Sequence, residues 1–289
     1  MTTAIRDTTV DVGDGPLAVA EYGPADGMPL LAIHGITASS RAWLALARQL
    51  PDVRIVAPDL RGRGRSRDLP PSSGLRHHAA DLQRLLAALR LERVPVIGHS
   101  MGAFVAVTLA ARRPDAVSSL VLVDGGYPLA RPAGTREDDL AATVLAPVAA
   151  RLAREFPDRA AHLDFWRAHP AFAAGLPAEL EAYADYDLVG AEPRLRPSST
   201  VEAIAADALD LYGAEWYRAA LATLGGEVPL LRAPRGLLDE PGGLYADLPV
   251  RPPLAPALRV VDVPGVNHYT ILMSDPGAGI VADTFRATL

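Results

Sequence analysis

The chain has 289 residues, of which 49% are hydrophobic and 21% are charged, and its formal net charge is −6. These proportions are typical of a soluble globular protein, and the length suffices for one large core or a core with an inserted cap. The negative net charge gives no electrostatic reason to expect nucleic acid or an anionic membrane as a partner. The absence of cysteine excludes disulfides, thiolate catalysis and cysteine-based zinc sites.

Two further absences in the sequence set the expected location. The first fifteen residues contain no apolar segment after a basic start, so we expect no signal peptide. No stretch of the sequence approaches 18 uncharged apolar residues, so we expect no transmembrane helix. A cytoplasmic protein is therefore the default expectation, and a homodimer is left open.

The first half of the chain alternates short strand-like runs with longer helical patterns. The strand-like runs are rich in Val, Ile and Leu, and they stop at Gly or Asp. They cover residues 17–23, 29–35, 53–59, 94–100 and 119–126. The helical patterns cover residues 39–50, 75–90 and 101–113. Because the middle runs are continuously apolar, they are typical of strands covered on both faces, and the alternation predicts a doubly wound, mostly parallel α/β sheet.

The alternation of strands and helices breaks after Gly126. Residues 128–226 show helical patterns divided by Pro and Gly, and no convincing strand. These helical patterns cover residues 137–155, 159–169, 201–212 and 214–224. Strand patterns resume at 227–234 and 257–265, joined by the long Pro-rich stretch 237–257. The simplest interpretation is a helical cap, residues 128–226, inserted into a sheet domain formed by residues 1–127 and 227–289.

Residues 98–102 read GHSMG, and they lie where a buried strand gives way to an apolar helix. A serine in such a turn has a strained backbone, and side chains two positions before and after it would collide, so Gly98 and Gly102 supply the room. The helix that begins at Met101 directs free N–H groups and a partial positive charge at the serine, which suits a developing oxyanion. Ser100 is therefore the candidate nucleophile.

Two other strand ends supply candidate partners for Ser100. The segment AIHGIT (32–37) ends a strand, and it predicts the Ile36 N–H as a second oxyanion donor beside that of Met101. A serine hydroxyl needs a neighbouring base, and His268 in VPGVNHYTIL (263–272) is the only one of seven histidines at the end of a late strand. The arginines of APDLRGRGRS (57–66) suggest phosphate binding, but we favour a structural turn. His77 and His78 are adjacent on a helix and point apart, which argues against a metal pair.

The segments HGITASS, PDLRGRGRS, GHSMG, LVLVDGG and GVNHY, in this order, resemble the α/β-hydrolase fold superfamily in its esterase- and lipase-like branch with a helical cap. The resemblance extends over the whole chain, although residues 128–226 match only in being helical. It implies an eight-stranded, mostly parallel sheet. It also implies a Ser–acid–His triad that hydrolyses an ester, amide, thioester or related bond. We expect no cofactor and no metal.

The acid of this triad has two candidate positions. The commoner position in the superfamily follows the strand 227–234, but here Asp239 and Glu240 come several residues late. Some relatives place the acid after the earlier strand, which neighbours the nucleophile strand in this topology, and Asp124 lies at that strand's tip. We favour Asp124, and Asp239 and Glu240 remain alternatives.

The expected substrate is a small carboxylic ester or lactone, apolar or aromatic, cleaved through an acyl-enzyme. Tyr127 and Tyr269 are the favoured wall residues because they flank candidate catalytic positions, and Trp166 and Trp216 are further candidates. Other aromatic candidates are Trp43, Phe104, Phe165 and Tyr183. A carbon–carbon bond hydrolase or a thioesterase on the same triad remains open, and a slow-turnover ligand receptor is the alternative of another class.

Overall fold

The structure is a computed structural model that describes residues 4–131, 134–136 and 139–289. The first two residues of the predicted helix 137–155 therefore lie outside the described residues. The strands are β1 (Ile5–Asp11), β2 (Pro16–Tyr22), β3 (Met28–Ile33), β4 (Val53–Pro58), β5 (Val94–His99), β6 (Val117–Val123), β7 (Leu188–Val189), β8 (Arg196–Pro197), β9 (Val228–Arg232) and β10 (Leu258–Asp262). The α-helices are α1 (Leu44–Gln49), α2 (Leu75–Ala88), α3 (Met101–Arg112), α4 (Leu140–Leu152), α5 (Arg159–Arg167), α6 (Leu180–Tyr186), α7 (Val201–Asp210), α8 (Glu215–Ala222), α9 (Thr270–Met273) and α10 (Asp275–Arg286).

Eight strands form one sheet in the order β1-β2-β4-β3-β5-β6-β9-β10. The β1–β2 and β2–β4 pairs are antiparallel, and the other neighbouring pairs are parallel. The predicted eight-stranded, mostly parallel sheet is therefore confirmed. Parallel strands end at the same edge of the sheet, so the loops after β3, β5 and β6 meet there.

Helices cover both faces of the sheet, which explains the continuously apolar strands. All six residues of β5 are buried. Val96 packs in the cluster that includes α2, α3 and α8, whereas its neighbour Ile97 packs in the cluster that includes α1 and α10. Each large aliphatic side chain buried in this way contributes about 1.5–3 kcal/mol to folding. Helix α3 is apolar nearly all round because it lies between the sheet and helices α2 and α8.

Two features of the structure differ from the sequence-based prediction. Strand β1 is not indicated by the sequence pattern, because it is an edge strand with mostly exposed side chains. The segment 128–226, in which no strand is predicted, contains the short antiparallel pair β7–β8. Two residues per strand give no readable alternation, so a pair of this kind leaves no signal in the sequence.

The segment between β6 and β9 carries helices α4 to α8. Helices α4 and α7 pack against each other through Val148, Leu152, Ile204 and Ala208, and this cluster contacts Ile36 of the β3 loop. Helix α8 instead lies on α3, where the rings of Tyr217 and Phe104 are 5.2 Å apart. The cap boundaries at 128 and 226 stay a prediction. Within the described part of the chain, every helix is too short or too polar to cross a lipid bilayer.

Candidate active site

Ser100 occupies the sharp turn between β5 and α3. Its backbone has φ 54° and ψ −125°, a conformation that is strained for any residue other than glycine. A Cβ atom on Gly98 would overlap the carbonyl of Gly102, and a Cβ atom on Gly102 would overlap the carbonyls of Ile33 and His34. The two glycines therefore allow the chain to turn tightly enough to expose the serine between strand and helix.

The side chains of Ser100, His268 and Asp124 form one continuous hydrogen-bonded chain. His268 Nε2 lies 3.1 Å from Ser100 Oγ, and His268 Nδ1 lies 2.7 Å from Asp124 Oδ2. An ionised carboxylate only accepts hydrogen bonds, so Nδ1 carries the proton and Nε2 accepts from the serine hydroxyl. Asp124 is fully buried and the side chain of His268 is 6% exposed, so water competes little for these contacts.

Backbone groups of the neighbouring strand hold Asp124 in place. The Asp124 N–H donates to the Leu231 carbonyl at 2.7 Å, and Asp124 Oδ1 accepts from the Ala233 N–H at 3.0 Å. Asp124 has φ 43°, and Gly125 packs directly on the Ser100 backbone. The remaining oxygen, Oδ2, is thereby directed at His268.

The alternative acids lie elsewhere. Asp239 Oδ1 accepts from Arg235 Nε at 2.8 Å and from Asn267 Nδ2 at 3.0 Å. Glu240 Oε2 accepts from the Leu238 N–H at 2.7 Å. Both carboxylates are engaged by their own loop or by Asn267, and the structure brings only Asp124 to His268.

The β3 loop approaches Ser100 closely. A Cβ atom on Gly35 would lie 3.1 Å from Ser100 Cβ, so only glycine allows this approach without displacing the loop. The N–H of the next residue, Ile36, donates to no acceptor among the described residues. Met101 is the first residue of α3, so its N–H has no partner within the helix. Both amides are thus free beside Ser100.

Two neutral histidines support these loops, a role that the sequence does not reveal. His34 Nε2 accepts from the Leu60 N–H at 2.9 Å, so its Nδ1 donates to the Gly35 carbonyl at 2.8 Å. Burial lowers the pKa of His34 to about 4. His99 Nε2 donates to the His268 carbonyl at 2.9 Å, and burial, reinforced by the charge of His268, holds the pKa of His99 well below its ordinary value.

A small cavity of about 60 Å³ opens beside Ser100. Its wall is mainly aliphatic and aromatic, with Ile36, Val148, Leu272 and Tyr269 among the lining residues. Val148 belongs to α4, so the segment between β6 and β9 contributes to the wall. Among the described residues, no group of three or more His, Asp or Glu side chains is arranged to hold a metal ion.

A family model described as "alpha/beta hydrolase fold" matches residues 28–175 of the chain. The chain belongs to the α/β-hydrolase fold family. The matched segment includes the elbow at Ser100 and the end of β6 at Asp124, whereas His268 lies beyond it.

Curated relatives of this α/β hydrolase match about two fifths of their own length. Lipase LipV of Mycobacterium tuberculosis is 44% identical over 108 residues, which are 37% of this chain and 41% of LipV. A putative 2-succinyl-6-hydroxy-2,4-cyclohexadiene-1-carboxylate synthase of Bacillus subtilis is 36% identical over 118 residues, 39% of this chain and 42% of that protein. The solved structure of E-2-(acetamidomethylene)succinate hydrolase is 26% identical with a TM-score of 0.77, covering 98% of this chain and 100% of that one.

The structure corrects three of the four aromatic wall residues predicted for this α/β hydrolase. Tyr269 lines the cavity, but Trp166 is fully buried behind it, with ring centroids 5.9 Å apart. Tyr127 lies outside the described lining, and its carbonyl accepts a hydrogen bond from Tyr245. Trp216 stacks under the Arg76 guanidinium at 4.2 Å, away from Ser100. Position beside a catalytic residue in the chain does not determine where a side chain points.

The other aromatic candidates divide in the same way. Tyr183 of α6 lines the cavity. Trp43 and Phe104 are buried in the two core clusters, and Phe165 packs against one of them, outside the lining. The aliphatic lining residues Val148, Leu237 and Leu272 are missed by the sequence reasoning, because an aliphatic residue carries no signal that separates a cavity wall from a core.

Proposed function

We propose that this α/β hydrolase cleaves a carboxylic ester or lactone of a small, largely apolar substrate through an acyl-enzyme intermediate. The observation that carries the proposal is the hydrogen-bonded chain from Asp124 through His268 to Ser100, which ends at an apolar cavity. Ser100 is the nucleophile, His268 the base and Asp124 the acid that orients it. The N–H groups of Ile36 and Met101 are the oxyanion donors.

Acylation begins when Ser100 Oγ attacks the carbonyl carbon of the substrate. His268 Nε2 takes the hydroxyl proton, and the carbonyl electron pair moves onto the carbonyl oxygen, where the Ile36 and Met101 amides hold the negative charge. Asp124 stabilises the imidazolium that forms. The oxyanion then collapses, the bond to the leaving alcohol oxygen breaks, and His268 returns its proton to that oxygen.

Deacylation repeats the cycle with water. His268 Nε2 takes a proton from water as the water oxygen attacks the acyl carbon, and the same two amides hold the second oxyanion. Collapse of this oxyanion breaks the bond to Ser100 Oγ, which regains the proton from His268. The carboxylic acid leaves, and the free enzyme is restored.

The cavity supports a short apolar acyl group. Its volume of about 60 Å³ is far below the roughly 300–1,000 Å³ of pockets that enclose drug-sized ligands. Ile36, Val148 and Leu272 offer no charge to a polar substituent. The likeness to LipV, a relative named as a lipase, agrees with ester hydrolysis.

The test measures turnover of p-nitrophenyl acetate, butyrate and octanoate and of γ-butyrolactone, followed by labelling with a serine-directed fluorophosphonate. We expect a burst of nitrophenol, a rate that falls with acyl length, and a mass label on Ser100. Ser100→Ala is the control, and it should lose both turnover and label. Tight ester binding without turnover would instead indicate a receptor, and preferred cleavage of acyl thioesters would indicate a thioesterase; either result contradicts the proposal.

A further inference from the structure

Two fully buried arginines, Arg61 and Arg63, lie in the loop after β4. Arg61 pairs with Asp81 of α2, with Nε 2.7 Å from the carboxylate. Arg63 pairs with Asp207 of α7, with Nη2 2.6 Å from Oδ2. Both pairs agree with the structural interpretation of these arginines, but they tie the loop to different parts of the chain. Arg61 is held by the sheet domain, and Arg63 is held by the segment between β6 and β9.

Arg63 also contacts both residues that supply the proposed oxyanion donors. Its Nε donates to the Ile36 carbonyl at 2.9 Å, and its Nη2 lies 3.8 Å from Met101 Sδ. Its Nη1 donates to the Arg61 carbonyl at 2.8 Å, which fixes the guanidinium plane. The Ile36 N–H and C=O share one Cα atom, so holding the carbonyl restricts rotation of the residue that presents the N–H. Arg61 has no hydrogen bond to Ile36 or Met101 among the described residues.

Helix α7 lies directly on this loop. Ile36 packs in the cluster formed by α4 and α7, and a Cβ atom on Gly62 would lie 3.0 Å from Ala203 Cβ. The Gly64 N–H donates to Ser198 Oγ, just before α7, at 3.1 Å. The Arg63–Asp207 pair is therefore one part of a continuous contact between α7 and the β4 loop.

The charge of Asp207 is maintained although the carboxylate is fully buried. His78 Nε2 donates to Asp207 Oδ2 at 3.0 Å, beside Arg63. Burial would raise the pKa of Asp207, but His78 and Arg63 outweigh it and hold that pKa well below its ordinary value. Removal of either charge of a buried pair leaves the other uncompensated, so Arg63 depends on Asp207 to keep its position.

We propose that Arg63 is a positioning residue that holds Ile36 and Met101 in the arrangement that binds the oxyanion, and that Asp207 makes this arrangement depend on α7 lying on the loop. This inference rests on the proposed function. It assigns to α7 a part in stabilising the transition state, in addition to its packing against α4. The effect acts through the amides of Ile36 and Met101, so it changes the stability of the oxyanion more than the binding of the uncharged ester.

The test compares Asp207→Asn with Asp81→Asn, a matched change at the buried partner of the neighbouring arginine. Three quantities are measured: kcat and KM for p-nitrophenyl butyrate, the inhibition constant of an alkyl trifluoromethyl ketone that serine converts to a tetrahedral oxyanion, and Tm. Removal of an oxyanion donor costs about 10²–10³ in kcat, so misplacing one should cost roughly 10–100-fold. We expect Asp207→Asn to lower kcat and weaken the ketone by that factor, with KM changed by less than about threefold. Asp81→Asn should lower Tm but leave kcat and ketone binding nearly unchanged.

A second variant keeps the proposal testable if Asp207→Asn is only mildly affected in stability. Arg63→Ala removes the guanidinium, and added guanidinium ion at millimolar concentration should restore part of its kcat. The proposal is overturned if Asp207→Asn keeps wild-type kcat and ketone affinity, or if both aspartate variants lose them equally. A wild type without turnover or Ser100 labelling would refute the proposed function itself, whereas an active wild type with no difference between the variants would refute only the role of Arg63.

Discussion

Replacing Asp124 by asparagine tests the order of the hydrogen-bonded chain that ends at Ser100. Asp124 Oδ1 accepts from the Ala233 N–H, so the asparagine carbonyl oxygen should stay at that position. The asparagine NH₂ group then occupies the place of Oδ2, 2.7 Å from His268 Nδ1 in the native protein. An NH₂ group donates, so Nδ1 must accept and the imidazole proton moves to Nε2. In that tautomer, His268 cannot take the proton of Ser100.

The expected loss of kcat is large because the change inverts the tautomer of the base. An asparagine in place of a triad aspartate lowers kcat by about 10⁴, which corresponds to roughly 5 kcal/mol of transition-state stabilisation. Binding of the uncharged ester does not use Asp124, so KM should change little. The fold should persist, because asparagine tolerates the positive φ of this position better than most residues.

The assay is steady-state turnover of p-nitrophenyl butyrate at neutral pH, with a Ser100→Ala background subtracted. Asp239→Asn is the matched control, since Asp239 bonds Arg235 and Asn267 in place of the base, and it should retain kcat within about threefold. An Asp124→Asn variant that keeps more than about a tenth of the wild-type kcat would contradict this reasoning, as would a comparable loss in Asp239→Asn.

Three more outcomes follow from the geometry. Gly102→Ala should destabilise the protein by at least about 2 kcal/mol in urea unfolding, since its Cβ meets backbone carbonyls, whereas Gly279→Ala, with open space around its Cβ, should be neutral or slightly stabilising. His34 has a folded pKa of about 4, below its ordinary 6.5, so the unfolded chain binds more protons in this window, and stability from neutral His34 is full above pH 6.5 and lost as the pH falls to 4. That loss is about 3 kcal/mol, and unfolding curves against pH should be flatter for His34→Gln; parallel curves would exclude the effect. Leu272→Ala widens the cavity and should raise the octanoate-to-acetate rate ratio about tenfold, whereas the exposed Leu238→Ala should leave the ratio unchanged.

The inner part of the sheet could be predicted because burial on both faces leaves a plain record in the sequence. Every residue of β5 is buried, and its apolar run stops at the glycine turn that holds Ser100. Strand β1 has one neighbour and exposed side chains, so nothing in its composition separates it from a loop. The edge of a sheet is defined by the absence of a partner, which a local pattern does not record.

The candidate site divides in the same way between local and distant causes. Ser100 and His268 are recognisable because local turn chemistry requires small neighbours or a strand end. Trp166 and Trp216 were placed wrongly because the direction of an aromatic side chain is decided by distant packing. Asp207 pairs with Arg63 across 144 positions of sequence. An aspartate within a helical pattern carries no sign of such a partner, so this contact became visible only in three dimensions.

The position of Asp124 has a consequence for the rest of the molecule. Ser100 and Asp124 follow neighbouring strands, β5 and β6, and are joined along the chain by α3 alone, so two of the three proposed catalytic groups belong to a single short unit. The stretch between β9 and β10 is thereby free of catalytic duty, although it reaches the substrate cavity through Leu237. Changes of length or composition in that stretch can alter which esters enter while the proton-transfer machinery stays intact.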